Sequence, residues 1–165
     1  MRNTSEIRTS SEEETIQLGE AIGRVLKPGD TVHLVGDLGS GKTRLAKGIV
    51  SAATGVPPDE VVSPTFTLIN RFDGAFPVHH ADLYRVQGQD IYGIGLEDAL
   101  EEGGALVVEW AEKIPEPEED ALTVSINYAG WSNNRRIVLG WRSDGSWDPR
   151  MNTVLEKWRR EKVWL

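Results

Sequence analysis

Apolar positions Ile16, Leu18, Ala21, Ile22, Val25 and Leu26 recur at roughly helical spacing, and Pro28-Gly29-Asp30 ends the run. Ser10 or Ser11 can cap its start, with Glu13 or Glu14 three residues on completing a capping box. The short run Thr31-Val32-His33-Leu34-Val35 predicts a buried strand leading into a glycine-rich loop, and residues 42–53 predict a helix closed by Gly55 and Pro57-Pro58. Strand, loop and helix form one unit. Thr65 to Asn70 and Pro77 to Asp82, separated by a turn at Asp73-Gly74, read as a hairpin. Gly88 to Gly95 is expected to be a loop and Leu96 to Glu102 a short helix; Ala105 to Trp110 is the clearest buried strand, with a carboxylate near its end. After an exposed acidic loop at 115–120, Leu122 to Asn127 and Arg136 to Trp141 predict two antiparallel strands, and Pro149 to about Lys162 a closing helix. The expected fold is α/β: one domain over 1–165, with a central mixed β-sheet flanked by helices and antiparallel strands toward the carboxyl terminus. No internal repeat or dividing linker is visible.

Composition narrows the chemistry. With no cysteine, disulfides, thiolate zinc sites and Cys nucleophiles are excluded, and three histidines make a zinc site a poor fit. A net charge of −8 weighs against a free-standing nucleic-acid binder, which needs a basic face. The densest basic run, Lys157 to Lys162, is interrupted by Glu161 and reads as a solvated helix face. No apolar run is long enough to span a bilayer, and the first residues have no secretory pattern, so a cytoplasmic protein is expected.

The loop after the first predicted strand, Gly36-Asp37-Leu38-Gly39-Ser40-Gly41-Lys42-Thr43, fits the P-loop pattern G-x-x-x-x-G-K-[ST] in its required strand–loop–helix context. Glycines let backbone N–H groups turn inward around phosphate oxygens, and the following helix points its positive end at them. Lys42 can reach the β- and γ-phosphates, and the Thr43 hydroxyl can ligate Mg²⁺. The expected nucleotide-binding residues are therefore Asp37, Leu38, Gly39, Ser40, Gly41, Lys42, Thr43 and Arg44, with the Asp37 side chain shaping the turn or facing solvent. Hydrolysis also needs a carboxylate for the metal or for water; Glu109 and Asp82, each at the end of a predicted strand, are the candidates. No Asn-Lys-x-Asp or Thr-Lys-x-Asp guanine reader occurs, so adenine is favoured by elimination.

Further blocks follow the P-loop in order: Ser63-Pro64-Thr65-Phe66-Thr67-Leu68, His80-Ala81-Asp82-Leu83-Tyr84-Arg85, Gly95-Leu96-Glu97-Asp98 and Val108-Glu109-Trp110-Ala111-Glu112. Together they resemble the TsaE (formerly YjeE) family over roughly residues 10–130. The resemblance implies a P-loop NTPase-like fold and a protein that binds ATP and Mg²⁺, hydrolyses ATP poorly alone, and acts on a TsaB–TsaD complex that makes threonylcarbamoyladenosine in tRNA. It meets tRNA only through that complex. By match to the motifs, Lys42 and Thr43 hold phosphate and metal, Thr65 belongs to a switch-like loop sensing the γ-phosphate, and Trp110 lies beside the nucleotide. Asp82 and Glu109 are the acids of the metal and water site, with the direct ligand left open between them. His80 is expected to pack or hydrogen-bond at a strand end. The late tryptophans Trp131, Trp141, Trp147, Trp158 and Trp164 are expected in core or docking surface, and 143–165 matches nothing assigned to the family.

Two other functions compete. A small-molecule kinase of this fold usually carries an arginine-rich lid, but no arginine occurs between Arg85 and Arg135. A nucleotide-binding regulator without useful hydrolysis would tolerate loss of the catalytic acids.

Overall fold

A computed structural model describes residues 1–64, 67–130 and 133–162. Seven strands form one sheet: β1 (Arg2–Thr9), β2 (Thr31–Gly36), β3 (Ile69–Asp73), β4 (Pro77–Asp82), β5 (Ala105–Glu109), β6 (Leu122–Tyr128) and β7 (Arg135–Arg142). Their order is β1-β7-β6-β2-β5-β4-β3. The four inner strands β6, β2, β5 and β4 run parallel, whereas β3–β4, β6–β7 and β7–β1 are antiparallel. The sheet is mixed, as expected, with antiparallel strands at both edges: the predicted β3–β4 hairpin at one and β6, β7 and β1 at the other.

Among the described residues, four helices flank it: α1 (Glu12–Gly23), α2 (Lys42–Thr54), α3 (Leu96–Glu101) and α4 (Asp148–Lys162). Ser11 caps α1 by accepting the Glu14 N–H, and Glu14 reaches back to the Ser10 N–H. Alternation along the strands sorts the two layers. Ala105 and Val107 on β5 face the main core with Leu18 of α1, Ile49 of α2 and Leu155 of α4. Leu106 and Val108 face a second, smaller core with Ile91 and Ala99. The α1–α2 contact depends on small residues. A Cβ on Gly48 would lie 2.1 Å from the Ile16 carbonyl oxygen, so the two backbones meet there without a side chain between them.

Segment 143–165 proves to be part of this core over its described residues. Met151, Val154, Leu155 and Trp158 of α4 are buried, as are Trp141 and Trp147, while Trp131 and Trp164 lie outside the described residues. Arg150 on α4 forks onto Asp30 at 2.6 and 3.0 Å, stacks 4.1 Å over Trp147 and donates to the Val25 carbonyl. Both partners of this ion pair are nearly fully buried. Removing one strands the other charge away from water, so Asp30→Ala should lower unfolding stability by about 3 kcal/mol in urea titration.

Strand β1 was not anticipated. Ile7 is its only apolar residue, and the strand pairs along β7 from Arg2↔Arg142 to Thr9↔Arg135. An edge strand with one solvated face gives little hydrophobic signal. Among the described residues the first hairpin strand begins at Ile69, with Thr67 and Leu68 before it and Leu68 at φ 65°, while Thr65 and Phe66 of the expected strand lie outside the described residues. Gly88–Gly93 forms a short 3-10 turn where a loop was expected.

His33 on β2 is buried, and that burial, helped by Arg2, holds its pKa down at about 4 against the usual 6.5. The unfolded chain therefore takes up a proton before the folded one does. Stability should fall as pH drops from about 6.5 toward 4, by up to about 3 kcal/mol. Comparing the pH dependence of urea unfolding between wild type and His33→Asn checks this, the variant being flatter across that window.

Candidate functional site

The parallel strands all end on one side of the sheet, where α/β proteins place their ligand crevices. Gly36 ends β2, Glu109 ends β5, Asp82 ends β4, and the register sets Asp82 beside Glu109 and Glu109 beside Leu34. A cleft of about 510 Å³ opens there. It brings together Leu38, Gly39, Gly41, Lys42, Thr43, Arg44, Asp82, Glu109 and Trp110 among the expected residues. The Asp37 side chain is exposed outside the lining, and its carbonyl accepts the Ser40 N–H, which shapes the turn. Ser40 is buried beneath the loop, and Thr65 lies outside the described residues, although neighbouring Ser63 and Val62 line the cleft.

The loop reaches this shape through its glycines. Gly39 has φ 77° and Gly41 φ 117°, left-handed backbone that side chains disfavour. Gly41 also caps α2, so the helix begins at Lys42 with its free N–H groups turned toward the cleft. Lys42 folds over the loop: its ammonium donates to the carbonyls of Gly36 at 2.5 Å and Asp37 at 2.8 Å. The same ammonium lies 4.1 Å from the Trp110 ring centre, a cation–π contact. Burial pushes the Lys42 pKa down, against the opposing pull of Glu109, Glu112 and Asp82.

Glu109 is held at both oxygens. Thr43 Oγ1 donates to Oε1 at 2.8 Å, and His80 Nε2 lies 2.5 Å from Oε2. His80 is wholly buried, which makes the expected hydrogen-bonding residue at a strand end a rear support for this carboxylate. Asp82 is half-buried, accepts the Tyr84 N–H at 2.9 Å and has its pKa raised chiefly by burial. Trp110 sits at φ 59°, left-handed for a bulky residue, and its ring packs 5.1 Å from that of Tyr84. Strain of that kind persists where the surroundings hold it, often at functional sites.

The far end of the cleft holds residues that no motif pointed to: Glu12, Thr15, Lys47, Asn133 and Arg135. Arg44, expected at the nucleotide, pairs with Glu12 at 3.4 Å. Arg135 is brought in by β7 from far along the chain; it lies one residue before the predicted strand Arg136 to Trp141, and no signal in the sequence flags it. Among the described residues, no three His, Cys, Asp or Glu side chains converge as a metal cage. The site instead offers a hydroxyl and two carboxylates, the hard oxygen donors that suit Mg²⁺ when phosphate supplies further ligands.

With this geometry in place, the comparisons with known proteins are specific. The family described as threonylcarbamoyl adenosine biosynthesis protein TsaE matches residues 9–137. The chain belongs to the TsaE family. It is 36% identical over 129 residues to the tRNA threonylcarbamoyladenosine biosynthesis protein TsaE of Nostoc, covering 75% of this chain and 78% of that one. It is 38% identical over 135 residues to the TsaE protein of Bacillus subtilis, covering 80% and 82%. The crystal structure of Bacillus subtilis YdiB superposes with a TM-score of 0.70 at 30% identity, covering 98% of this chain and 97% of that one. At that coverage, most of the segment after residue 137, which the family match leaves out, has a counterpart in that structure. Among the described residues, no helix is long and apolar enough to cross a membrane.

Proposed function

We propose that this chain binds ATP with Mg²⁺ and hydrolyses it slowly by itself, as an accessory ATPase of threonylcarbamoyladenosine formation on tRNA, acting in the cytoplasm on TsaB- and TsaD-like partners. The observation that carries the reading is the meeting of Lys42, Thr43, Glu109 and Asp82 around one cleft at the strand ends. Membership of the TsaE family supports the biological setting.

The residues act as follows. The loop N–H groups and the α2 N-terminus receive the phosphates, and Lys42 exchanges the Gly36 and Asp37 carbonyls for phosphate oxygens. A half-desolvated ammonium gains more from an anion than one in water does. Thr43, Glu109 and Asp82 are the residues that would hold Mg²⁺, which when bound neutralises phosphate charge. Whichever of Glu109 and Asp82 is not the direct ligand orients the attacking water. Trp110 and Tyr84 wall the phosphate end against bulk solvent. By the family resemblance, Thr65 senses the γ-phosphate.

Arg44 and Arg135 line the cleft but engage Glu12 and the Ser40 carbonyl, and a partner completes the site for fast hydrolysis. The test is ATP hydrolysis by the purified protein with Mg²⁺, with and without the TsaB–TsaD complex of the same organism. Stimulation that disappears in Lys42→Ala is expected. Equal and appreciable rates in both samples would instead mark an independent ATPase, and small-molecule phosphate acceptors would then be screened.

A further inference from the structure

The carbonyls of the phosphate loop are tied from two sides. Lys42 holds those of Gly36 and Asp37 from within the loop. The other two ties come from the β6–β7 hairpin, outside every sequence block described above. Tyr128 Oη donates to the Leu38 carbonyl at 3.1 Å, and Arg135 Nε donates to the Ser40 carbonyl at 2.5 Å. Tyr128 and Arg135 are cross-strand partners, and the guanidinium lies 4.5 Å from the Tyr128 ring centre.

A trans peptide points its C=O and the following N–H in opposite directions. Drawing the Leu38 carbonyl toward Tyr128 turns the Gly39 N–H the other way, and drawing the Ser40 carbonyl toward Arg135 turns the Gly41 N–H likewise. Both are the left-handed glycines of the loop, at φ 77° and 117°. A Cβ on Gly39 would come within 2.9 Å of the Tyr128 hydroxyl, so the tyrosine rests directly on the loop backbone. Successive inward N–H groups in such a conformation form an anion-binding concavity.

We infer that Tyr128 and Arg135 are positioning residues that set the phosphate loop in its anion-binding shape before the nucleotide arrives. The inference rests on the nucleotide-binding reading of the cleft and adds a support to it: the hairpin determines how well the loop N–H groups are aimed. Pre-set donors cost nothing to reorganise on binding, and that gain is lost when the carbonyls are free to turn. It also predicts sensitivity at atoms that need not touch the ligand, since the Tyr128 hydroxyl bonds loop backbone at the Leu38 carbonyl.

The test measures calorimetric Kd values for ADP and for inorganic pyrophosphate in wild type, Tyr128→Phe, Arg135→Gln and the double variant, with thermal unfolding alongside. Each single variant should weaken both ligands about threefold to tenfold, the range set by loss of one hydrogen bond. The double variant should lose less than the product of the two, because the residues stack on one another. Melting temperatures should stay within about 2 °C, which a merely structural role at the hairpin would not allow. Pyrophosphate has no base or sugar, so a loss confined to ADP overturns the inference in favour of a base contact. A loss in Arg135→Gln without any in Tyr128→Phe overturns it in favour of direct phosphate contact by the arginine. If wild type binds both ligands and the variants bind equally well, the inference fails while the nucleotide reading stands; if wild type binds neither, both fail.

Discussion

Lys42→Ala should weaken ATP and ADP binding at least about a hundredfold and reduce hydrolysis by about a thousandfold, while leaving the fold in place. One charge-assisted hydrogen bond contributes about 1.5–3 kcal/mol, and the ammonium is positioned to make more than one with phosphate. The folded protein, by contrast, gains little from Lys42. Burial lowers its pKa, so the buried charge costs stability that the Trp110 contact and two carbonyl bonds only offset. Thermal unfolding of the variant should therefore sit within a few degrees of wild type, or above it, as expected where a functional residue is kept at some expense to stability. Fluorescence or calorimetric titration with ADP checks the binding loss; an affinity within threefold of wild type would remove Lys42 from the phosphate site.

The second large effect belongs to Glu109. Glu109→Gln should lower the ATPase rate by about a thousandfold, roughly 4 kcal/mol of barrier, with ADP affinity changed less than tenfold. Glutamine keeps an oxygen to accept the Thr43 hydroxyl, so the local geometry survives. What disappears is the negative charge beside the cleft and the acceptor facing His80. A split between retained binding and lost turnover is the signature of a group that acts on metal or water rather than on nucleotide affinity. Single-turnover hydrolysis with excess protein reads it directly. If turnover is preserved, Asp82, the strand neighbour of Glu109, becomes the principal acid, and Asp82→Asn should then show the loss instead.

Both predictions concern residues that sequence pattern had already singled out, because their chemistry is local. A P-loop is legible since its glycines, lysine and threonine act through one short stretch of backbone between a strand and a helix. Helices α1 and α2 and strands β2 and β5 were legible because their apolar periodicity reports burial directly. The remainder depends on tertiary pairing. Strand β1 carries Ile7 amid polar and charged side chains, and only its partner β7 makes it a strand. The grip of His80 on Glu109 arises because β4 lies parallel to β5, a register that neither segment displays alone. Tyr128 and Arg135 meet the phosphate loop from far along the chain, through the alignment of Gly36 with Ile126 on adjacent strands. The closing helix was expected, but its burial against α1 and its Asp30–Arg150 anchor were not.

The pairing of β1 with β7 also bears on the order of assembly. Arg2 has no strand partner until Arg142 has been made and brought alongside, and the Ser143 N–H then bonds the Met1 carbonyl. A contact between such distant segments carries a high loop-closure cost until the strands between them are in place. The phosphate loop, Asp82 and Glu109 belong to β2, β4 and β5 and to the turns beside them, none of which pairs with β1. The β1–β7 pairing is therefore the costly, non-local closure of one sheet edge, while the phosphate loop, Asp82 and Glu109 stand on inner strands that do not pair with it.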